Sequence, residues 1–241
     1  MPVTLHERLA YVAASDSLQA VDTATGEVLS TFRPRHKALY TDKHFDASTV
    51  VDGVIAGRVK ETGDETRLKA LDLNTGETRW TAEKADYKAT VAAAGPHLLL
   101  HTRPGVAFAS QPASSLIDVR TGKVAKDIDG HFSGECTFDG LDNTICHTIE
   151  APDKRVFAVD AKTGDMRWQL PDPAANRIAP EVTSVYKGRV YGTTRDNGPI
   201  ALNSRTGADI RTSPELAPIL VNGYTGLTID EGTVVAHHAA S

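Results

Sequence analysis

The chain has no apolar run approaching the ~18 residues of a membrane-spanning helix, and its opening Met1-Pro2-Val3-Thr4 begins no secretory signal. The expectation is a water-soluble chain, readable as a mature or excised domain whose targeting segment lies elsewhere. Positive charge is not in excess either. Lys and Arg number 26 against 31 Asp and Glu, a net charge of −5 with a pI near 6.0, which leaves no electrostatic footprint for nucleic acid. The densest basic group, Arg33, Arg35 and Lys37, reads as a solvated loop.

Signatures of chemistry are equally scarce. There is no Gly-x-Ser-x-Gly, no glycine-rich phosphate loop and no His-Glu-x-x-His. His97 and His101 would share a strand face about 13 Å apart, too far for one metal ion. His237 and His238 point to opposite faces of a strand. Asp127-Ile128-Asp129-Gly130 lacks the ligand ladder of a calcium loop and reads as a solvated turn. A Ser/His/Asp site assembled from distant segments has no positive support, so no catalytic residue, metal or cofactor is expected.

Cysteine occurs only twice. Cys136 and Cys146 flank Asp139-Gly140-Leu141-Asp142-Asn143 at equal distance from Leu141, which places them opposite each other across an antiparallel hairpin. A disulfide is the expectation, and with it an oxidising compartment. A pair of buried free thiols is what an intracellular chain would prefer.

What is present is repetition. LKALDLNTGETRW carries Ala70, Asp72, Thr75, Gly76 and Trp80, and VFAVDAKTGDMRW carries Ala158, Asp160, Thr163, Gly164 and Trp168. Weaker copies contain Ala20, Asp22, Thr25 and Gly26; Asp118, Thr121 and Gly122; and Ala201, Asn203, Thr206 and Gly207. The Thr-Gly glycines are spaced by 50, 46, 42 and 43 residues, the length of one propeller blade. Apolar alternation on both sides makes two strands, so Asp-x-x-Thr-Gly must reverse the chain. The Asp carboxylate accepts N–H bonds from the residues that follow it. The Gly takes positive φ to close a type I turn plus bulge, and an alanine there would lose about 1–2 kcal/mol. The small Ala leaves room on the strand face, and the Trp reaches into the gap between adjacent sheets, where removing it costs about 3–5 kcal/mol.

The eleven-residue pattern Ala-x-Asp-x-x-Thr-Gly-x-x-x-Trp resembles the tryptophan-docking motif of PQQ-type β-propeller repeats. Such repeats occur in quinoprotein alcohol dehydrogenases, in the β-barrel assembly lipoprotein of Gram-negative outer membranes and in many PQQ-like extracytoplasmic proteins. The resemblance spans nearly the whole chain and marks Ala70, Asp72, Gly76, Trp80, Ala158, Asp160, Gly164 and Trp168 as blade-docking residues. Ser30, Lys126 and Arg211 replace Trp in three copies, and Leu116 and Asn203 replace Ala and Asp in two, so looser docking is expected there.

The expected architecture is all-β: one propeller domain, 1–241, of about six four-stranded blades with the last incomplete, or else part of a seven- or eight-bladed ring. Blade boundaries fall near 1–46, 47–84, 85–130, 131–175, 176–214 and 215–241. Residues 82–94 have helix propensity, but their place in the repeat calls for an inner strand. The last strand, Thr233–His238, is expected to stand at an open edge that adds a strand from further chain or from a partner.

The resemblance implies a non-enzymatic extracytoplasmic module that scaffolds a protein or binds a small ligand; the exposed sensor domain of a membrane protein is a narrower form of the same reading. A PQQ-dependent dehydrogenase is the enzymatic alternative. That branch resembles the chain in its blade motif, but its members are longer and, in the alcohol dehydrogenase type, set adjacent cysteines against the quinone. A glycan-cleaving or hydrolytic propeller would need carboxylates converging on a central channel.

Overall fold

The computed structural model describes residues 2–6, 8–13, 18–32, 49–51, 53–60, 66–72, 77–82, 90–101, 114–128, 134–148, 154–195, 198–212, 216–223 and 225–238. Among these there is no helix. The residues 33–37, Thr75, Gly76, Asp129 and Gly130 lie outside the described set, as does most of 82–94, whose described end is a strand. The chain falls into two compact units, Met1–Phe132 and Ser133–Ser241.

The first unit holds three antiparallel sheets of four strands each. They comprise β1 (Pro2–His6), β2 (Leu9–Ala13), β3 (Leu18–Asp22) and β4 (Val28–Phe32); β5 (Thr49–Val51), β6 (Val54–Lys60), β7 (Thr66–Asp72) and β8 (Thr78–Thr81); and β9 (Thr90–Ala94), β10 (His97–His101), β11 (Ser114–Asp118) and β12 (Val124–Ile128). Each is a meander in chain order, as short alternating segments separated by turn residues require. Val54, Ala56, Leu68 and Ala70 of one sheet pack on Leu98, Leu100, Ile117 and Val119 of the next. Fully burying a leucine such as Leu68 or Leu98 contributes about 1.5–3 kcal/mol.

The second unit repeats the plan. Its four-stranded sheets are β13 (Gly134–Phe138), β14 (Asn143–Thr148), β15 (Val156–Asp160) and β16 (Met166–Leu170), then β17 (Glu181–Tyr186), β18 (Arg189–Thr194), β19 (Gly198–Asn203) and β20 (Asp209–Thr212). Between them lie Ile145, Val156, Ala158 and Leu170 from the first and Val190 and Leu202 from the second. A last sheet has three strands, β21 (Leu220–Val221), β22 (Thr225–Asp230) and β23 (Thr233–His238), with β23 at the edge. The Ser184 hydroxyl donates to the Pro218 carbonyl at 2.6 Å, tying this sheet to its neighbour.

Burial is deep in the third strands β11 and β15. All of Val156, Phe157, Ala158 and Val159 in β15 are buried. β23 holds the same place in its own sheet, yet Val234 is 63% exposed.

Candidate functional site

The repeated turn is built the same way wherever it is described. Oδ1 of Asp160 accepts the N–H groups of Lys162 and Thr163 at 2.8 and 2.9 Å, while Gly164 donates its N–H to the Asp160 carbonyl at 2.9 Å. The same bonds recur from Asp22 and Asp118, and Gly26, Gly122, Gly164 and Gly207 all have φ between 70° and 78°. Asn203 does the work of Asp, its Oδ1 accepting from Arg205 and Thr206 at 2.9 and 3.1 Å. This substitution therefore leaves the turn unchanged, because the N–H groups require only a side-chain oxygen at that reach.

A second tie fixes each turn against its own sheet. The residue after the Asp or Asn donates its N–H to the turn between the first two strands: Thr23 to Arg8, Val119 to Pro96, Ala161 to Asp142 and Ser204 to Gly188. The carboxylates also meet arginines. Arg8 bonds Asp22, Arg79 bonds Asp72 and Arg167 bonds Asp160. Partial burial works to raise the pKa of Asp160, but the N–H groups of Thr163 and Lys162, with Arg167, outweigh it and hold the carboxyl below its ordinary value. For Asp22 the Arg8 hydrogen bond is the largest cause of the same depression.

The two tryptophans lie in the seams between sheets. Trp80 sits opposite Ala70 and Trp168 opposite Ala158 in the strand register. Trp80 Nε1 donates to the Val119 carbonyl at 2.8 Å, and Trp168 Nε1 donates to the Ser204 carbonyl at 2.8 Å, each reaching the turn of the following sheet. The floor under each ring is that turn's glycine. A Cβ built on Gly122 would stand 2.5 Å from Trp80 Cδ2, and one on Gly207 would stand 2.7 Å from Trp168 Cδ2. The glycine therefore has two reasons to lack a side chain, positive φ and the indole lying on it.

Sequence reasoning missed the polar lock beside the Trp168 seam. The Ser204 hydroxyl donates to Asp139 Oδ2 at 2.6 Å, and Asn143 Nδ2 donates to the same carboxylate at 2.9 Å and to Ser204 Oγ at 3.1 Å. Asp139 Oδ1 takes the N–H groups of Leu141, Asp142 and Asn143. All three side chains are buried. Burial pushes the Asp139 pKa up, but the bonds from Ser204 and Asn143 prevail and hold it below the ordinary carboxylate value. Only the turn spelling Asp139-Gly140 was visible beforehand; Ser204 lies 65 residues away.

Cys136 and Cys146 are joined in a disulfide at directly opposed positions of β13 and β14, and both are buried. Among the candidate histidines, His97 is buried opposite Asp118, and His237 Nε2 lies 2.9 Å from the Thr228 hydroxyl. Among the described residues no group of three or more His, Cys, Asp or Glu is placed to hold a metal, and no helix is long and apolar enough to cross a membrane.

The remaining surface feature is the last sheet. Leu220, Leu227 and Ala236 form one row across it, with Ile229 and Val234 adjacent on the same face. Leu220, Ile229 and Val234 are 61%, 60% and 63% exposed. Among the described residues β23 has no further sheet neighbour, so an exposed apolar face and an unpaired strand edge occur together, a combination that marks interaction surfaces.

A family model described as "Outer membrane protein assembly factor BamB" matches residues 2–240. The chain belongs to that family. It is a PQQ-like β-propeller, and its antiparallel sheets are the blades. Among solved structures, the WD40 domain of Toxoplasma gondii coronin superposes with a TM-score of 0.50 at 11% identity, over 96% of this chain and 65% of that one. BamB from Moraxella catarrhalis gives 0.41 at 13% identity over 97% of this chain and 80% of its own. The quinohemoprotein alcohol dehydrogenase ADHIIG from Pseudomonas putida HK5 gives 0.45 at 15% identity over 87% of this chain and 41% of its own. No curated protein sequence matches the chain.

Proposed function

We propose that this BamB-family chain is a non-enzymatic extracytoplasmic propeller, one domain over 1–241, that works as a protein-interaction scaffold or ligand-binding module. The observation that carries the reading is the last sheet, where β23 has no further sheet neighbour among the described residues and Leu220, Ile229 and Val234 lie exposed. In a soluble protein such a surface is blunted or covered unless another polypeptide uses it. The Cys136–Cys146 disulfide supports an oxidising compartment. Ala70, Asp72, Trp80, Ala158, Asp160, Gly164 and Trp168 serve this reading as the blade-docking set that holds neighbouring sheets in place, with Gly76 assigned to the set from the sequence alone.

The residues present do not suit a quinone cofactor of the alcohol dehydrogenase type. The only two cysteines of the chain join β13 to β14 in a buried bridge, so they do not form the adjacent pair that such a site sets against the ring. Titration with PQQ and calcium, followed by absorbance and by dye-linked oxidation of primary alcohols, tests the non-enzymatic reading. We expect neither uptake nor dye reduction; stoichiometric uptake with turnover would overturn it.

A further inference from the structure

Two side-chain atoms of the β13–β16 sheet are buried with no hydrogen-bond partner among the described residues, and they differ in kind: Asn143 Oδ1 accepts, Arg167 Nε donates. Asn143 gains nothing by turning its amide over. Its Nδ2 donates to Asp139 Oδ2 at 2.9 Å, so reversal would set oxygen against carboxylate, and the Ser204 hydroxyl already spends its one proton on Asp139. The residue is 2% exposed, which keeps bulk solvent from the oxygen. Arg167 differs from its counterparts in the other sheets. Arg8 and Arg79 turn both Nη2 and Nε onto the Asp of their turn, the Nε bonds being 2.9 and 3.1 Å, whereas Arg167 gives Asp160 only Nη2. Its side chain is 23% exposed against 72% and 58% for the other two, so its Nε has neither the carboxylate nor open solvent.

Both residues meet the same carboxylate. Asn143 is the register partner of Asp160, and the 2.7 Å bond from the Ala161 N–H to the Asp142 carbonyl makes the two a non-hydrogen-bonded pair, the kind whose side chains lie closer together on one face. Arg167 holds that Asp160 through Nη2. Asp160 cannot satisfy Asn143, because an ionised carboxylate has no proton to give. An acceptor and a donor left over beside one carboxylate discriminate among guests. A metal cation would suit Asn143 but be repelled by the Arg167 guanidinium, and an anion would suit Arg167 but be repelled by Asp160. A small neutral molecule that both donates and accepts meets every demand.

We propose that Asn143, Arg167 and Asp160 form a binding site for a single structural water, which donates to Asn143 Oδ1, accepts from Arg167 Nε and turns its second proton to Asp160 Oδ2. Three such partners are typical of a buried water. The site joins the two halves of the seam. Asn143 Nδ2 donates to the Ser204 hydroxyl at 3.1 Å, and Trp168, the residue after Arg167, donates to the Ser204 carbonyl at 2.8 Å. With Asn143 and Arg167 bridged, the polar lock and the tryptophan close one ring of bonds around Ser204. The Trp80 seam has no call for such a water at its arginine, since Arg79 Nε is already on Asp72.

The test uses the whole 241-residue protein. A crystal structure at about 1.5 Å should show an ordered water within about 3.2 Å of both Asn143 Oδ1 and Arg167 Nε. In solution, water-oxygen relaxation dispersion counts the long-lived buried waters. Arg167→Lys keeps a positive charge for Asp160 but has no Nε, and it should lose one such water relative to the unaltered protein. Arg79→Lys is the control and should lose none, with circular dichroism reporting that both variants are folded. A metal ion or an anion at the site, a protein donor bonded directly to Asn143 Oδ1, or an equal count in Arg167→Lys and the unaltered protein overturns the proposal. Should Arg167→Lys fail to fold, the crystal structure of the unaltered protein decides by itself: density for the water at both atoms supports the site, and its absence there refutes it.

Discussion

Replacing Gly207 by alanine perturbs two things that can be separated. The first is the backbone: φ at Gly207 is 70°, and an L-residue held there loses about 1–2 kcal/mol. The second is the seam. The new Cβ would lie 2.7, 2.9 and 3.0 Å from Cδ2, Cγ and Cε3 of Trp168, three atoms of one rigid ring. The ring must shift, losing its 2.8 Å bond to the Ser204 carbonyl, about 1 kcal/mol, and part of its packing. A total of about 3–4 kcal/mol is expected for Gly207→Ala. Gly140→Ala is the control in the same unit, since φ is 78° and nothing lies within 4 Å of the added atom, leaving only the backbone loss of about 1–2 kcal/mol. Trp168→Ala should lose about 3–5 kcal/mol. On that background Gly207→Ala should fall back to the Gly140→Ala value, giving a coupling of about 2 kcal/mol in the double-mutant cycle. Urea unfolding followed by far-ultraviolet circular dichroism supplies the four free energies. Additive effects, or a Gly207→Ala loss no greater than that of Gly140→Ala, would refute the glycine-floor account of docking.

Material from an oxidising compartment should resist alkylation at Cys136 and Cys146 until reduced, and Cys146→Ser should destabilise by about 2.5–3 kcal/mol by chain entropy for a separation of 10 residues. Quantitative labelling of both thiols without reductant would refute the bridge. The Asp139 carboxyl, held below its ordinary value in the folded state, contributes stability that is complete above the unfolded value of 3.8 and disappears as pH falls through the lower folded value. Asp139→Asn should therefore lose about 2–3 kcal/mol at neutral pH and flatten the acid limb of a melting-temperature profile below about pH 4; an unchanged limb would show that Asp139 does not drive it.

The strands were legible because their determinants are local. Alternation within five or six residues predicts a strand on each side of the Thr-Gly turn in VFAVDAKTGDMRW, as β15 and β16 are, and the expected span of Thr233–His238 coincides with β23. The facing of Cys136 and Cys146 follows from counting outward from one hairpin turn. The partners across the seams were not legible, since no local pattern records them. Trp168 meets Ser204 across 36 residues, Trp80 meets Val119 across 39, and Asp139 meets Ser204 across 65. A serine that closes one turn, caps a buried carboxylate and receives an indole looks in sequence like any residue after the Asn of a repeat. The row across the last sheet was equally hidden. That an alanine in β23 completes a row with Leu220 and Leu227 depends on register between strands, which is set when sheets pair and pack and not by the residues of any one strand.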